Sequence, residues 1–422
     1  MLSKNTIQYY LLLVIFLLSG NLVFQLFFLV FFGIIILLLS KNRILVDERF
    51  IFYSGICFLS ATQFLLFFDE SYSLSYNLNS LIAFLFWVLA LLAYLVIKTI
   101  VKNFDINKTK KLLDIFFILN LIIILVQIGS VIIATKTLNP FASTMYSYGQ
   151  STGDHLKGVF SNSSISMIIM SFYTVFYAYK RNRKVVLAII AMLLSTYMSG
   201  VFIFSIIASI YVFFTFGLKT KIKIVSSIVL VFLALMVVTP HNLSYVKLIL
   251  TENLNSKVDP PRKMISFEET LQNWTSSPKS FIYGEGAGKF SSRTAFLTAG
   301  DYTDWFPKDW EYKSEAFSKN HFPLWNKKIL SIGYKDGTHN QPFSFYNQII
   351  GEFGLLGILL FVVYMFYMIK NWYKLTYGRI LMLSILGFFV LDYWFDYFSV
   401  ILFFELFINL NIKENEVAQE SN

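Results

Sequence analysis

The sequence predicts an all-α polytopic membrane protein with about twelve transmembrane helices and one large, partly helical extracytoplasmic loop. Three observations lead there. Of the 422 residues, 56% are apolar, 46 of them Phe. Only 14% are charged, where soluble proteins carry about a quarter. The apolar residues also fall into runs, many long enough to cross a hydrocarbon core of about 30 Å as a helix of about 20 residues. An ordinary cytosolic enzyme is excluded. The single cysteine, Cys57, lies inside an apolar run; it offers neither a disulfide framework nor a cysteine-based zinc site and reads as a small buried hydrophobe. The net charge of +10 reports topology, as basic residues do in membrane proteins, and no nucleic-acid partner is expected.

Taken in order, apolar runs lie near 7–19, 22–39, 50–68, 79–97, 112–134, 164–179, 185–198, 201–217, 224–239, 343–369, 380–391 and 397–409. Lys4 precedes the first run, but no small-residue cleavage site follows, so the run reads as a span. The stretches 7–39 and 185–217 are each too long for one span. Each contains a break, Ser19-Gly20-Asn21 and Ser199-Gly200, and each is expected to be a helical hairpin. With the amino terminus inside, the inner loops hold Lys41 and Arg43, the 98–111 lysines, the 180–184 cluster, Lys219, Lys221 and Lys223, and Lys370, Lys374 and Arg379, while the short outer loops hold only Lys136 and Lys157. That asymmetry satisfies the positive-inside rule. The expected division is an amino-terminal bundle of about nine spans at 1–239, an extracytoplasmic loop at 240–342, about three further spans at 343–410, and a cytoplasmic tail at 411–422.

Residues 240–341 behave differently from the rest. They carry 13 Lys and Arg against 11 Asp and Glu, and they hold every Trp except Trp87, Trp372 and Trp394. A long connection rich in aromatics is expected to be ordered and functional, with short helices near 243–254 and 264–274. The four histidines, His155, His241, His321 and His339, all fall in outer segments. This placement fits either a role there or the rarity of His in apolar helices. No spacing resembles a zinc site. The turn Gly284-Glu285-Gly286-Ala287-Gly288-Lys289 fails the P-loop pattern, since Phe290 stands where a magnesium-binding hydroxyl is required. It is either a backbone cradle for a phosphate or an ordinary turn.

The most informative stretch is 337–362. Gly337-Thr338-His339-Asn340-Gln341 precedes a helix containing Gly351-Glu352-Phe353-Gly354-Leu355-Leu356-Gly357. The small residues, with Glu352, allow close packing against a neighbouring helix. A Gly-rich turn followed by Phe290, a long outer loop, His339-Asn340, and the Glu-x-Gly-x-x-Gly of residues 352–357 resemble the O-antigen polymerase and O-antigen ligase superfamily. Lys157-Gly158-Val159-Phe160-Ser161-Asn162 is similar to that family's Gly-x-Phe-x-Asn element, and the arrangement of spans and loop matches over nearly the full length. The chain departs from the family pattern in having Lys157 where Arg is frequent and Ser199-Gly200 where Ser-Arg is frequent. Lysine does not replace arginine in bidentate phosphate binding.

The resemblance implies a GT-C-like architecture in a bacterial inner membrane, with the site facing the exterior. It implies transfer of a sugar chain from polyprenyl diphosphate to a sugar hydroxyl, without metal or cofactor. The implied partners are the lipid-linked oligosaccharide, membrane lipid, a chain-length regulator and a flippase. A diphosphate leaving group needs cationic stabilisation in a site shielded from water, and the candidates are Lys157, Lys289 and Arg293. The acceptor hydroxyl gains from a positioned base, for which His339 is the candidate, with Asn340 and Glu352 as substrate-binding neighbours. Each has a bland counterpart: a helix cap for His339, an interfacial anchor for Lys157, solvated loop charges for Lys289 and Arg293. Loop aromatics serve either as a sugar platform or as the loop's own core. Asp69-Glu70 and the pair Asp392 and Asp396 are further acidic features at outer helix ends, and Glu405 is expected to pair within the bundle. A polymerase of lipid-linked repeats is the leading function. The ligase that transfers finished polymer to lipid A-core is the second, and a lipid-linked oligosaccharide flippase or exporter is the alternative from another class; the large loop and the scarcity of mid-span charge favour an enzyme over an exporter.

Overall fold

The structure, a computed structural model, describes residues 4–25, 30–39, 46–67, 73–142, 152–239, 261–301, 306–326 and 341–420. Among these residues the protein is helical and contains no strand. The apolar runs become α1 (Lys4–Leu18), α2 (Val30–Leu39), α3 (Glu48–Leu66), α4 (Leu74–Asn103), α5 (Ile106–Thr135), α6 (Ser163–Tyr179), α7 (Lys184–Leu194), α8 (Met198–Thr215) and α9 (Leu218–Val238). The loop contributes α10 (Arg262–Trp274), α11 (Pro278–Tyr283), α12 (Arg293–Thr298) and α13 (Glu315–Lys319). Three helices close the chain: α14 (Phe345–Lys370), α15 (Gly378–Phe388) and α16 (Phe398–Glu420). Six of them, α3, α4, α5, α8, α9 and α14, are long and apolar enough to cross a membrane. This is a helical membrane protein.

Short polar residues start the helices where the hydropathy begins to rise. Asp47 accepts from the amides of Arg49 and Phe50 at 3.1 Å each. Asn162 accepts from Ile165 at 2.8 Å, and Ser344 from Tyr346 at 3.2 Å. Each satisfies amides that an α-helix leaves without partners at its first turn. The chain breaks after Leu18 as expected, where Asn21 caps the turn that follows. The second break is displaced from its expected place. It lies at 195–197, where Thr196 takes a left-handed φ of 52°, while Ser199 and Gly200 belong to the first turn of α8. Glycine is therefore not the breaker there.

α16 occupies the centre. From Phe398 to Ile408 every side chain is buried, the mark of a helix apolar on all sides and surrounded by others. It packs along α4 and α6, while α14 packs along α3 and α3 along α4. Aromatic edges fill the seams: Phe16 and Phe116 both meet Phe403 at 4.8 Å, and Tyr173 meets Phe407 edge-on at 5.1 Å. Such pairs contribute about 0.5–1.5 kcal/mol beyond their buried area. α16 also continues through Glu420, past the boundary at 410 expected from hydropathy. Its polar end is docked: Lys413 Nζ donates to the carbonyls of Val101 at 2.6 Å and Phe104 at 2.5 Å at the carboxyl end of α4, and Asn411 Oδ1 accepts from Thr376 and Gly378 at 2.8 and 2.9 Å.

Glu405 has the bundle partner expected of it. Arg49 Nη1 donates to Glu405 Oε2 at 2.5 Å, and the hydroxyls of Tyr53 and Tyr364 donate to Oε1 at 3.0 and 3.3 Å. Arg49 also lies 4.1 Å from the centroid of the Tyr367 ring. This network ties α3, α14 and α16 together at the Arg49 end of α3. Removing one member leaves a buried charge uncompensated, at a cost of about 3–5 kcal/mol. Arg49→Ala is thus expected to destabilise the detergent-solubilised protein by that amount, and Arg49→Met combined with Glu405→Met to recover most of it. Thermal unfolding of the three proteins checks this; an Arg49→Ala protein as stable as the parent would show the pair to be dispensable.

Candidate functional site

The polar centre of the loop lies at the other end of α3, where Gln63 Nε2 donates to the carbonyls of Tyr283 at 2.5 Å and Glu352 at 2.7 Å. α14 is not the continuous helix that the apolar run suggests. It kinks at Gly354, whose φ of 57° and ψ of −148° lie outside helical values. The kink lets α11 approach backbone to backbone. A side chain at Gly354 would sit 2.6 Å from the Gly284 amide nitrogen, and one at Gly284 would sit 2.4 Å from the Glu352 carbonyl carbon. Both glycines have positive φ, which L side chains rarely adopt. The close packing anticipated around Glu352, Gly354 and Gly357 therefore joins α14 to the long loop.

Glu352, fully buried, faces the Gly-rich turn. Its Oε2 accepts from the Gly288 amide at 2.9 Å, and its Oε1 accepts from Phe290 and Ser291 at 3.0 and 3.1 Å. The turn is a backbone anion cradle, and the protein's own carboxylate fills it. No amide of that set remains for a phosphate, and both Glu352 oxygens are engaged by the turn.

What the turn does present is Lys289. Its side chain is 6% exposed and Nζ donates to Asn79 Oδ1 at 3.0 Å and Ser80 Oγ at 2.8 Å on the first turns of α4. The ammonium sits 3.6 Å from the centroid of Tyr76 and 4.6 Å from that of Tyr312. Burial pulls its pKa down to about 7, with the Glu352 carboxylate opposing. Asn79 cannot turn over, because its Nδ2 donates to the Gly288 carbonyl and to Thr298 Oγ1, both at 2.9 Å.

Arg293 opens α12, 8% exposed. Its guanidinium lies between Phe86 and Tyr397, with centroids at 5.3 and 4.5 Å, and makes one long hydrogen bond of 3.4 Å to the Asp396 carbonyl. The Asp396 carboxylate is turned to the Arg293 amide, at 3.0 Å, and to Gln348 Nε2 at 2.9 Å. Burial raises Asp396 to about 6, against these hydrogen bonds. Among the described residues neither Lys289 nor Arg293 forms an ion pair. Lys263 lies nearby and is engaged differently: it donates to the carbonyls of Phe343 at 2.6 Å and Leu391 at 2.8 Å. Burial lowers its pKa, and Asp392 raises it.

His321 is fully buried; Nδ1 pairs with Ser291 Oγ at 2.9 Å and Nε2 with the Ser266 carbonyl at 3.0 Å. Burial holds its pKa near 4, with Lys263 pushing the same way, so this ring is neutral and structural. Some of the loop's aromatics form its own core: Phe296 meets Phe343 at 4.6 Å and Phe317 at 4.9 Å, and Trp325 meets Phe343 at 4.6 Å.

Of the expected site residues, the structure brings together Lys289, Arg293 and Glu352. Neither cation is a solvated loop charge. Lys157 stands apart: its amide is held by Gln127 Oε1 at 3.1 Å and its Nζ by the Ser161 carbonyl at 3.3 Å, and none of these bonds reaches the centre. His339, Asn340, Asp69 and Glu70 lie outside the described residues, as does the stretch 243–254. Asp392 and Asp396 are buried beneath the loop rather than standing free at a helix end. Sequence reasoning missed Tyr76, Asn79, Ser80, Tyr312, Gln348 and Lys263; the one available signal was three polar residues, Tyr76, Asn79 and Ser80, crowded at the start of an apolar run. Among the described residues no three His, Cys, Asp or Glu side chains form a metal site. No protein-family model, curated protein or solved structure matches the chain.

The clasp between α14 and the turn yields a direct test. Gly354→Ala is expected to destabilise by at least about 1 kcal/mol, since the residue must take a positive φ with no room for a side chain, and to expose the 284–291 turn to limited proteolysis. A Gly354→Ala protein with parental melting and proteolysis would show that the kink tolerates a side chain.

Proposed function

We propose that the protein is a glycosyltransferase that joins polyprenyl-diphosphate-linked oligosaccharide repeats, a polymerase of O-antigen or capsule type, acting at the outer face of a bacterial inner membrane. The observation that carries this reading is the cations Lys289 and Arg293, both nearly buried and walled by aromatic rings, neither in direct ion-pair contact with a carboxylate among the described residues. Burying such charges unpaired is costly, and the cost is recovered when an anion arrives. A diphosphate supplies that anion. Its departure from the sugar leaves negative charge that cationic donors in a water-poor site stabilise most.

The scaffold in this proposal is GT-C-like with twelve spans. Beyond the six long helices it uses the shorter α1, α2, α6, α7 and α15, together with α16. Both termini are then cytoplasmic and the 240–342 loop lies outside. The acceptor sugar hydroxyl is deprotonated or oriented by His339, with Asn340 beside it, while Tyr312, half-buried, offers a face to the sugar next to the diphosphate. The lipid-linked oligosaccharide, membrane lipid, a flippase and a chain-length regulator are the partners. The reaction as written needs no metal.

Lys289 binds an anion only when protonated. Burial places its pKa near 7, so the charged fraction grows as pH falls through that value. Affinity for lipid-linked donor should therefore strengthen from pH 8 to pH 6, and Lys289→Arg, permanently charged, should flatten the profile. Donor binding to purified protein in nanodiscs measures both; a flat profile in the unchanged protein would remove Lys289 from the contact.

A second prediction separates catalysis from scaffold. His339→Gln should lower the polymerisation rate by about 10²–10⁴, as the loss of a general base does, while single repeats accumulate on the lipid carrier. Arg293→Ala should shorten the chain-length ladder, and Arg293→Lys should retain part of it. The chain-length profile of cells with matched membrane levels of each protein is the readout. An active His339→Gln enzyme would leave only a positioning role for that residue.

A further inference from the structure

We infer that α10 and α11 form an interfacial element of the membrane, with the face built by Leu271, Trp274, Phe281 and Ile282 immersed in the outer leaflet. The inference rests on depth, and it goes beyond the glycosyltransferase reading. Its test needs no activity.

At the inner side, Lys370 Nζ pairs with Glu48 at 2.9 Å, which sets the first turn of α3 beside the last turn of α14 and marks the inner boundary of the apolar layer. From there the straight part of α14, Leu355–Lys370, rises 16 residues to the kink, about 24 Å at 1.5 Å per residue. α3 gives the same answer independently: Glu48 to Gln63 is 15 steps, about 22 Å. The hydrocarbon layer is about 30 Å thick. Both helices reach α11 within that thickness. A side chain at Gly354 would touch the Phe281 carbonyl oxygen at 2.8 Å and the Ile282 carbonyl carbon at 2.9 Å, and Gln63 holds the Tyr283 carbonyl. The loop therefore reaches down to the depth where lipid chains end.

The side chains on that level fit lipid. Leu271, Phe281 and Ile282 are 49%, 38% and 39% exposed, and Leu65 and Leu66, on the same turn of α3 as Gln63, are 73% and 61% exposed. The apolar face of the loop thus continues the lipid-facing surface of a span. Trp274 stacks on Phe281 at 5.0 Å and its indole nitrogen donates to the Phe281 carbonyl at 2.9 Å, so the ring's one donor is satisfied without water. Lys279 lies 3.9 Å from the centroid of Phe67, the pairing of aromatic ring and cation found at headgroup level. α10 rises away from this level. Lys263 at one end binds the carbonyl of Phe343 before α14 begins, whereas Asn273 at the other binds Glu285 at 2.9 Å, and the Glu285 amide donates to the Gly351 carbonyl at 2.9 Å. The immersed face consequently fixes the height of the turn that carries Lys289.

The chain has one cysteine, Cys57, which is buried, so site-specific labelling is simple. In a Cys57→Ser background, single cysteines placed by Ile282→Cys, Leu271→Cys, Met264→Cys and Trp310→Cys carry an environment-sensitive fluorophore, with the full chain in phosphatidylglycerol and phosphatidylethanolamine nanodiscs. Labels at 282 and 271 are expected to emit blue-shifted and to lose fluorescence to lipids spin-labelled at the upper acyl chain. The label at 264 should respond less, and that at 310 should be quenched by aqueous iodide instead. Iodide quenching at 282 and 271 equal to that at 310 would overturn the inference by placing the face in water. Protection from both quenchers would overturn it too, by placing the face under protein. If Ile282→Cys fails to fold, Leu271→Cys on the exposed side of α10 decides by the same two criteria.

Discussion

The arrangement of the Gln63 end of the bundle depends on one carboxylate. Glu352 accepts from three consecutive-region amides of the Gly-rich turn, and it does so because α14 breaks at Gly354 and lets the loop backbone pass within contact distance. Without that clasp there is no reason for the turn to stay against the bundle. Lys289 would lose its place beside Asn79 and Ser80, and α12 its approach to Asp396. A buried carboxylate is costly unless its lone pairs are met; here backbone groups meet them, so no cation is drawn away from the centre. That economy leaves Lys289 and Arg293 without a direct ion pair among the described residues.

The two ends of the bundle solve the same electrostatic problem in opposite ways. At the Arg49 end, a guanidinium and a carboxylate neutralise each other, with Tyr53, Tyr364, Asn409 and Asp47 meeting further groups. The result is a network suited to holding α3, α14 and α16 in register. At the Gln63 end, cations and carboxylates are both buried but kept separate: Glu352 and Asp396 are bound by amides, and the cations rest on aromatic faces. Cation–π contact of this kind is worth about 2 kcal/mol when desolvated, less than an ion pair supplies in the same place, so the charges are held but not quenched.

The loop is an extension of the bundle rather than an appendage. Its aromatic core around Phe296, Trp325 and Phe343 sits over α4 and α14, and its helices α10 and α11 are fastened to the same kink that holds Glu352. Movement of this element against the spans would move Lys289 with it. The dense aromatic seams of α16, with no polar gap between Phe398 and Phe404 other than Ser399, give the opposite property: a rigid axis on which the outer element is mounted.

The helices themselves were written in the sequence. Most of the apolar runs coincide with helices among the described residues, because apolar length and polar caps are local properties, and Asp47, Asn162 and Ser344 mark their starts without reference to any other segment. Lys289 and Arg293 could be named as cations in an aromatic loop, and Glu405 as a residue needing a partner. What those groups touch was not legible, since Asn79 and Lys289 stand 210 residues apart and Arg49 and Glu405 356 apart, and nothing in local pattern encodes such a meeting. The kink at Gly354 escaped for the same reason: glycine inside an apolar run permits either a packed straight helix or a break, and the choice is made by α11 arriving from outside. Likewise Thr196, not the glycine at 200, ends α7. Sequence determined where the chain is helical and which charges it carries; tertiary packing alone decided which of those charges are neutralised and which remain available.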